Sequence, residues 1–549
     1  MKKNINVFVE EYGKLVVKEG STLLQVAIEA FEENAKEYLG ARIENEVLPL
    51  FKAVQDEQYI KFLTNKDVDG YRIYTKTISA VFIMACKELF PDKDAILYHF
   101  LGPGLYAELD GKHNISFKET QEIQKKMDEI IQMDIPIVRK EYSREETIKL
   151  FTDYGYLDKV RLISTLDKEE FSIYTIGSHI DSFHGYLAPS TGYVSKFKLK
   201  YYYPGVIILF PSRRNNYNLD KFKEQKKLAK VFKESHIWSD ILDMSNIGSL
   251  NEKINNNKVK EIVQISEALH EKKIAQIADK ICADRDITMI LISGPSSSGK
   301  TTFSKRLSTQ MKVNGKRPIS ISMDNYFVDR ELTPIDSDGK PDYESIDAID
   351  INQFNMDLIS LLEGETIELP KFNFITGNRE KSGKWIKVDI DHPIIIEGIH
   401  GLNPNLTKDI PEKNKYKIYV SALTQLNLDN HNRISTTDTR LIRRIVRDAK
   451  YRGNSPLKTF EMWDRVRKGE EKYIFPFQEE ADIMFNSALV YEMSVLSKYI
   501  VPLLKEITKE SEYYSEAKKL LKFLKYFKPI ENEKCIPPNS IIREFIGWD

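Results

Sequence analysis

Between residues 288 and 302 the chain runs Met289-Ile290-Leu291-Ile292-Ser293 and then Gly294-Pro295-Ser296-Ser297-Ser298-Gly299-Lys300-Thr301-Thr302. The first piece is short and mostly apolar, as a strand buried on both faces requires. Beyond Lys300, Phe303, Leu307 and Met311 recur at helical spacing. Strand, loop and helix in that order give the context in which G-x-x-x-x-G-K-[ST] acts as a phosphate-binding loop. Gly294 and Gly299 let the backbone turn tightly and leave its N–H groups bare towards an anion. The helix that follows adds the positive end of its dipole. Lys300 is placed to reach the β- and γ-phosphates and the Thr301 hydroxyl to ligate Mg²⁺, with Ser296, Ser297, Ser298 and Thr302 completing a cradle for ATP.

Composition narrows the setting. Lys+Arg 81 against Asp+Glu 82 leave nothing in the overall charge that favours a nucleic acid or a membrane surface as partner. A length of 549 residues suits three or four domains. Cys86, Cys282 and Cys535 lie far apart, which is neither a disulfide framework nor a zinc pattern and fits a reducing compartment. No signal peptide follows Met1-Lys2-Lys3-Asn4, and no run reaches the ~20 apolar residues of a membrane span. The expectation is a soluble, cytoplasmic protein.

Ile5, Val7 and Val9 alternate before Tyr12-Gly13, and Leu15 and Val17 resume the alternation, which predicts a hairpin. Gly20-Ser21-Thr22 then opens a helix with Leu24, Ala27, Ile28 and Phe31 on one face. With apolar pieces around 41–47 and 59–63, this predicts a small unit over residues 1–66. Residues 67–215 form a second α+β unit, whose helix over 75–90 carries Ile78, Val81, Phe82 and Ala85. Residues 216–283, rich in Lys, Glu and Asn, are helical connectors. From 284 to 549 strands at 289–293, 319–322, 394–396, 418–420 and 483–485 alternate with helices. The class is therefore α/β, a P-loop NTPase-type, mostly parallel sheet flanked by helices, with ligands at the carboxyl ends of the strands.

Several constellations sit where such a sheet would gather them. Asp324 follows the second strand, placed to accept a proton from an acceptor hydroxyl and to orient it for in-line attack; the simpler role is a turn cap. Glu397 ends the strand at 394–396, suited to Mg²⁺ or its water shell. His400 fits a packed, hydrogen-bonded side chain better than a ligand, because metal sites need partner ligands. Arg440, Arg443, Arg444 and Arg447 form a stripe that can close over phosphates and neutralise transferred charge, or stand as a solvated basic face. Tyr343, Glu344, Phe372, Phe374 and Arg379 lie in segments that read as loops, with the aromatics to stack on a base and the polar groups to hold a ribose, although core packing explains the rings equally well.

These pieces carry a resemblance. Residues from about 286 to 505 resemble the uridine kinase/phosphoribulokinase family in the phosphate loop, Ser322-Met323-Asp324-Asn325-Tyr326, Asp342-Tyr343-Glu344-Ser345-Ile346-Asp347-Ala348, Glu397-Gly398-Ile399-His400 and Thr437-Asp438-Thr439-Arg440-Leu441-Ile442-Arg443-Arg444. The resemblance implies Asp324 as general base and a lid bearing Arg440, Arg443 and Arg447. It places Glu344 where the family has the Asp that contacts the ribose. In the base-reading segment, Phe372, Phe374, Gly377 and Arg379 stand where the family has Tyr, Phe, His and Arg. Residues 1–66 resemble a ubiquitin-like TGS domain, and 67–215 the second additional domain of threonyl-tRNA synthetases. In the latter the helix Tyr74-Thr75-Lys76-Thr77-Ile78-Ser79-Ala80 lacks the family's histidines, so His179 and His184 remain without a zinc set. The whole chain resembles a group of long uridine kinase-like proteins, including its ending at 537–547. The implied activity is ATP- and Mg²⁺-dependent phosphorylation of a nucleoside 5′-hydroxyl, uridine or cytidine first. A kinase for another small hydroxylated metabolite, or an RNA-linked regulator whose front contacts tRNA, are the alternatives, and a homo-oligomer is left open.

Overall fold

The computed structural model describes residues 3–111, 113–213, 215–336, 339–373, 376–389 and 392–547. In the carboxyl-terminal half of these, strands β1 (Met289–Ser293), β2 (Ile319–Ser322), β3 (Ile394–Glu397), β4 (Lys415–Ser421) and β5 (Ile483–Asn486) form one parallel sheet in the order β2-β3-β1-β4-β5. Every residue of β1 is buried, because its alternate side chains enter two different cores. Ile290 and Ile292 pack with Phe303 and Leu307, whereas Met289 and Leu291 pack with Tyr326 and Phe354 on the other face. A sheet covered on both sides needs continuous apolar strands, which is what the sequence supplies.

Five helices matter to the site: α1 (Lys300–Val313), α2 (Thr436–Tyr451), α3 (Pro456–Tyr473), α4 (Glu492–Lys505) and the single turn α5 (Arg543–Ile546). The helix Val259–Ala283, within the stretch predicted as a connector, lies along α1. Its Ile274, Ile277 and Ile281 share a core with Phe303 and Leu307, and Arg306 of α1 pairs with Glu267 at 3.3 Å and Glu271 at 2.7 Å. The connector stretch thus contributes a layer of this half. A further difference concerns the segment 370–379, which reads as loop in sequence. Its residues 370–373 and 378–379 belong to an antiparallel ribbon of Thr366–Asn373 and Asn378–Lys387.

At the front, five strands form a mixed sheet in the order Gly13–Lys18, Asn4–Val9, Gln58–Thr64, Tyr38–Ile43, Glu46–Leu48. Thr22 and Gln25 cap the helix Leu23–Phe31 reciprocally. Because the cap is Thr22, the buried stripe is Leu23, Val26 and Ala27, and Ile28, expected inside, is 52% exposed. The next helix, Val68–Leu89, begins well before the predicted start. Asp69-Gly70 looks like a turn in sequence, but Gly70 sits in the helix where a Cβ would lie 1.9 Å from the Thr64 carbonyl oxygen. Beside it, Lys198–Tyr202, Gly205–Leu209, Gly104–Leu109 and Ala95–Leu101 form an antiparallel sheet. Among the described residues no helix is long and apolar enough to cross a membrane.

A buried ionic cluster ties this front unit to the parallel-sheet half. Lys159 pairs with Asp181 at 3.0 Å and with Asp429 at 2.9 Å, and His431 touches Asp181 at 2.7 Å and Asp94 at 3.0 Å. Burial opposes charge on His431, yet Asp181 and Asp94 raise its pKa to about 10, so the ring is an imidazolium. Burial alone would raise Asp181, and the two cations hold it well below the usual carboxylate range. Removing one member of such a cluster strands its buried partners. Asp181→Asn is expected to lower stability by about 3–5 kcal/mol in chemical denaturation at neutral pH. The pH dependence follows from His431. Its folded value lies above the ordinary 6.5, so its contribution is complete below about pH 6.5 and is lost as pH rises through about 10. Denaturation curves from pH 7 to 10 should fall more steeply for the native chain than for the Asn variant.

Candidate active site at the phosphate loop

The loop is shaped by a close crossing. A Cβ on Gly294 would lie 2.0 Å from the Val420 carbonyl oxygen, so the chain leaves β1 pressed against β4. Gly299 caps α1 at φ 84°, and Ser297 takes a left-handed φ of 59°, a conformation that non-glycine residues adopt mainly where surroundings impose it. The Ser297 and Ser298 hydroxyls are buried without a hydrogen-bond partner among the described residues. Two orphaned hydroxyls beside a helix N-terminus suit an incoming anion. Lys300 Nζ donates to the carbonyls of Gly294 at 2.9 Å and Pro295 at 3.3 Å. Burial lowers its pKa, against the pull of Glu397, Asp324 and Glu544.

Acids converge on that lysine. Asp324 lies in the 3₁₀ turn Met323–Tyr326 directly after β2. Glu397 closes β3, in register with Ser322 on one side and Ile292 on the other. It accepts from Ser322 Oγ at 3.1 Å and Thr301 Oγ1 at 3.3 Å. Burial and Asp324 push its pKa up to about 7, and Lys300 limits the rise. Glu344 packs over Gly469 of α3, where a Cβ would lie 2.3 Å from the Glu344 Cβ. Its pKa is likewise raised to about 7 by burial, against Arg444 and Lys300, and it senses both Asp324 and Asp342. Thr301, Glu397 and Asp324 together offer the hard oxygen donors that Mg²⁺ selects, so the residues fit that ion.

The arginines of α2 divide into two sets. Arg440 and Arg443 are 2% and 1% exposed and pair with the buried Glu470 and Glu492. Arg440 donates to the Ser296 carbonyl at 3.0 Å, and Arg443 to the Ser297 carbonyl at 3.2 Å and the Ser487 carbonyl at 3.1 Å. They brace the carbonyl side of the loop instead of lying over its N–H side, as a lid would. Arg444 donates to Ser296 Oγ at 2.7 Å, and Arg447 pairs with Glu544 at 3.5 Å. Burial, with Arg452 and Arg444 nearby, lowers Arg447 to about 10.

The residues predicted to hold a nucleoside are spread more widely. Glu344 shares the cleft with Asp324. Phe372 lies on the ribbon, edge-on to Phe327 at 5.6 Å, next to the turn that carries Asp324. Arg379 is taken up by Asp350 at 2.8 Å, and Tyr343 is about half exposed. Phe374 lies outside the described residues. His400 is buried, edge-on to Tyr473, and burial pushes it down to about 4, so it is neutral.

Nothing in the sequence singled out Arg452, Glu470 or Glu544, and Arg444 belonged to the arginine stripe but not to the lid that the resemblance implies. Arg444 was visible as the i+4 member of the arginine stripe. Arg452 reaches Asp324 and Glu344 electrostatically from just beyond α2. Glu470, whose carboxylate accepts the Ser296 N–H at 3.0 Å, sits in the last turn of α3 with no motif around it.

Two parts of the chain are similar to different known proteins. Residues 289–494 match the model of the Phosphoribulokinase / Uridine kinase family. The front is similar to threonine–tRNA ligases. That of Carboxydothermus hydrogenoformans is 30% identical over 182 residues, 33% of this chain and 29% of the ligase. That of Natranaerobius thermophilus is 32% identical over 177 residues, 32% of this chain and 28% of the ligase. The chain therefore spans under a third of the length of these curated relatives. A solved structure described as a possible uridine kinase from Bacillus stearothermophilus is similar at 18% identity and a TM-score of 0.28, covering 39% of this chain and 98% of that one. Residues 289–494, which hold the phosphate loop, Asp324, Glu344, Glu397 and the arginines of α2, thus match the phosphoribulokinase/uridine kinase family model, and the front before them is similar to threonine–tRNA ligases.

Proposed function

We propose that the chain is an ATP-dependent kinase that transfers the γ-phosphoryl group to the 5′-hydroxyl of a nucleoside, uridine or cytidine first. The observation that carries this reading is the convergence of Asp324 and Glu397, at the ends of adjacent parallel strands, on Lys300 of the phosphate loop. Lys300 and the loop amides hold the triphosphate. Asp324 orients the acceptor hydroxyl and takes its proton. Thr301 and Glu397 would hold Mg²⁺, which when bound would offset the charge developing on the transferred phosphoryl group. Arg444 and Arg447 supply positive charge at the loop's mouth. Arg440 and Arg443 act through the loop, by fixing its carbonyls. Glu344 is assigned to the ribose hydroxyls and Phe372 to a flat base, with Phe374, Tyr343 and Arg379 as weaker members of that set.

One observation favours a second acceptor class. Arg379 is committed to Asp350, and Phe372 and Gly377 bring no polar group to a base edge. A site without such partners discriminates weakly among bases. A kinase for another small hydroxylated metabolite would use the same acids.

Steady-state assays with ATP, Mg²⁺ and uridine, cytidine, adenosine, guanosine or inosine decide between these readings. The proposal requires ADP release that depends on a pyrimidine nucleoside; phosphorylation of none of the five would sink it. Asp324→Asn should keep ATP affinity within about twofold and cut turnover by about 10²–10⁴-fold, the range for loss of a general base. Near-normal turnover would remove the base assignment.

A pH profile tests the metal set separately. Glu397 ligates as a carboxylate, and its pKa in the free chain lies near 7. Apparent Mg²⁺ affinity, measured by titration at fixed nucleotide, should rise between pH 6 and 8 and level above that. Glu397→Gln should lose most of this pH dependence along with affinity.

A further inference from the structure

Beyond the family segment, which ends at residue 494, the chain returns to the phosphate loop. Ile541 lies on Gly299 so closely that a Cβ there would be 2.7 Å from its Cγ2. One turn further, Glu544 Oε2 accepts from the Thr302 hydroxyl at 2.9 Å and from the Thr302 backbone N–H at 3.4 Å, and Oε1 pairs with Arg447 at 3.5 Å. The Thr302 N–H belongs to the first turn of α1, one of the donors that a helix leaves unfilled and with which it holds anions. Lys300 and Glu397 both feel the charge of Glu544, so this carboxylate stands in the same field as the acids of the site.

The segment is anchored independently of Glu544. Arg543 donates to the carbonyls of Glu533 at 3.1 Å and Ile536 at 3.0 Å, and Ile541, Ile542, Phe545 and Ile546 are buried in the main core. The Arg443 guanidinium lies 5.0 Å from the centre of the Phe545 ring. The backbone of α5 is therefore held in place, while the Glu544 side chain is tied to the site by contacts that a rotamer change would release.

We propose that Glu544 is a built-in competitor of the phosphate donor. Its carboxylate takes the Thr302 donors and the Arg447 charge that a nucleotide's phosphates would use, and it turns aside when a nucleotide seats. The inference rests on the reading of this loop as an ATP site. It implies that the loop discriminates by phosphate charge, since only a polyanion gains by displacing the carboxylate, and a neutral nucleoside gains nothing.

Calorimetric titration of the full chain with ATP, ADP and adenosine, in the presence of Mg²⁺, tests this. Glu544→Ala should tighten ATP and ADP by about tenfold, the change expected when one charge-assisted contact no longer competes. The isosteric Glu544→Gln should tighten them by a smaller factor and guards against a packing artefact, with thermal midpoints confirming that both variants fold. Adenosine affinity should not change. Unchanged or weaker ATP binding in both variants, with the native chain binding ATP, would overturn the role of Glu544 alone. Absence of ATP binding in all three proteins would overturn the nucleotide-site reading, and the inference with it.

Discussion

The crossing of Gly294 over the Val420 carbonyl fixes the geometry on which the rest depends. Any side chain at 294 would push the loop off β4, and the loop is what sets α1 above the sheet. With α1 seated there, Thr301 falls within 3.3 Å of Glu397, which the register of β3 carries to the same edge. Parallel strands end together, so the side chains that follow β1, β2 and β3 meet without any of these segments having to travel. The site is thus a consequence of strand register plus one residue without a Cβ.

That arrangement crowds acids. Asp324, Glu344, Glu397 and Glu544 face Lys300, Arg444, Arg447 and Arg452 in a partly dry cleft. Burial raises Glu344 and Glu397 to about 7 and lowers Lys300 from its ordinary value, so burial disfavours the charged form of groups of both signs here. This is the behaviour expected of groups poised for a ligand that restores the balance, and structural ion pairs show the opposite sense. The Asp181–His431 contact is such a pair: there the acid is held low and the imidazole high. Two buried clusters in one chain therefore differ in kind, one saturated by its own counter-charges and one left short of them.

The parallel sheet was legible because its strands are continuous apolar runs and its loop has a spacing that few other structures share. Lys300, Thr301, Asp324 and Glu397 follow from position alone: each closes or follows a strand at the same edge. What could not be read was the direction of side chains on α2. Four arginines at i, i+3, i+4 and i+7 share one broad face in a helical projection, but the phosphate loop meets that face obliquely. Arg440 and Arg443 then reach its carbonyls, and Arg444 and Arg447 reach its mouth. Their acidic partners, Glu470 and Glu492, come from other helices, and no local pattern announces a contact across 30 or 49 residues. The second strand of the ribbon, Asn378–Lys387, was masked by its polar composition, since a mostly exposed strand needs no apolar alternation.

Helix α2 joins these parts mechanically. The stretch just before it, Asp429 to Asn432 in sequence, is locked into the front unit by Lys159 and Asp181. Its first turn carries Asp438, which pairs with Lys519 at 3.0 Å; Lys519 pairs in turn with Glu516 at 2.9 Å, and Glu516 with Arg72 of the front helix. Its middle braces the phosphate loop, and its last turns hold α5, through Arg447 to Glu544 and Lys450 to the Ile546 carbonyl. Lysine could not take the place of Arg440 or Arg443 here. Each guanidinium spans a loop carbonyl and a buried carboxylate at once, which a single ammonium on a flexible stem cannot reproduce. A continuous set of ion pairs and hydrogen bonds therefore runs from the synthetase-like front through α2 to the phosphate loop.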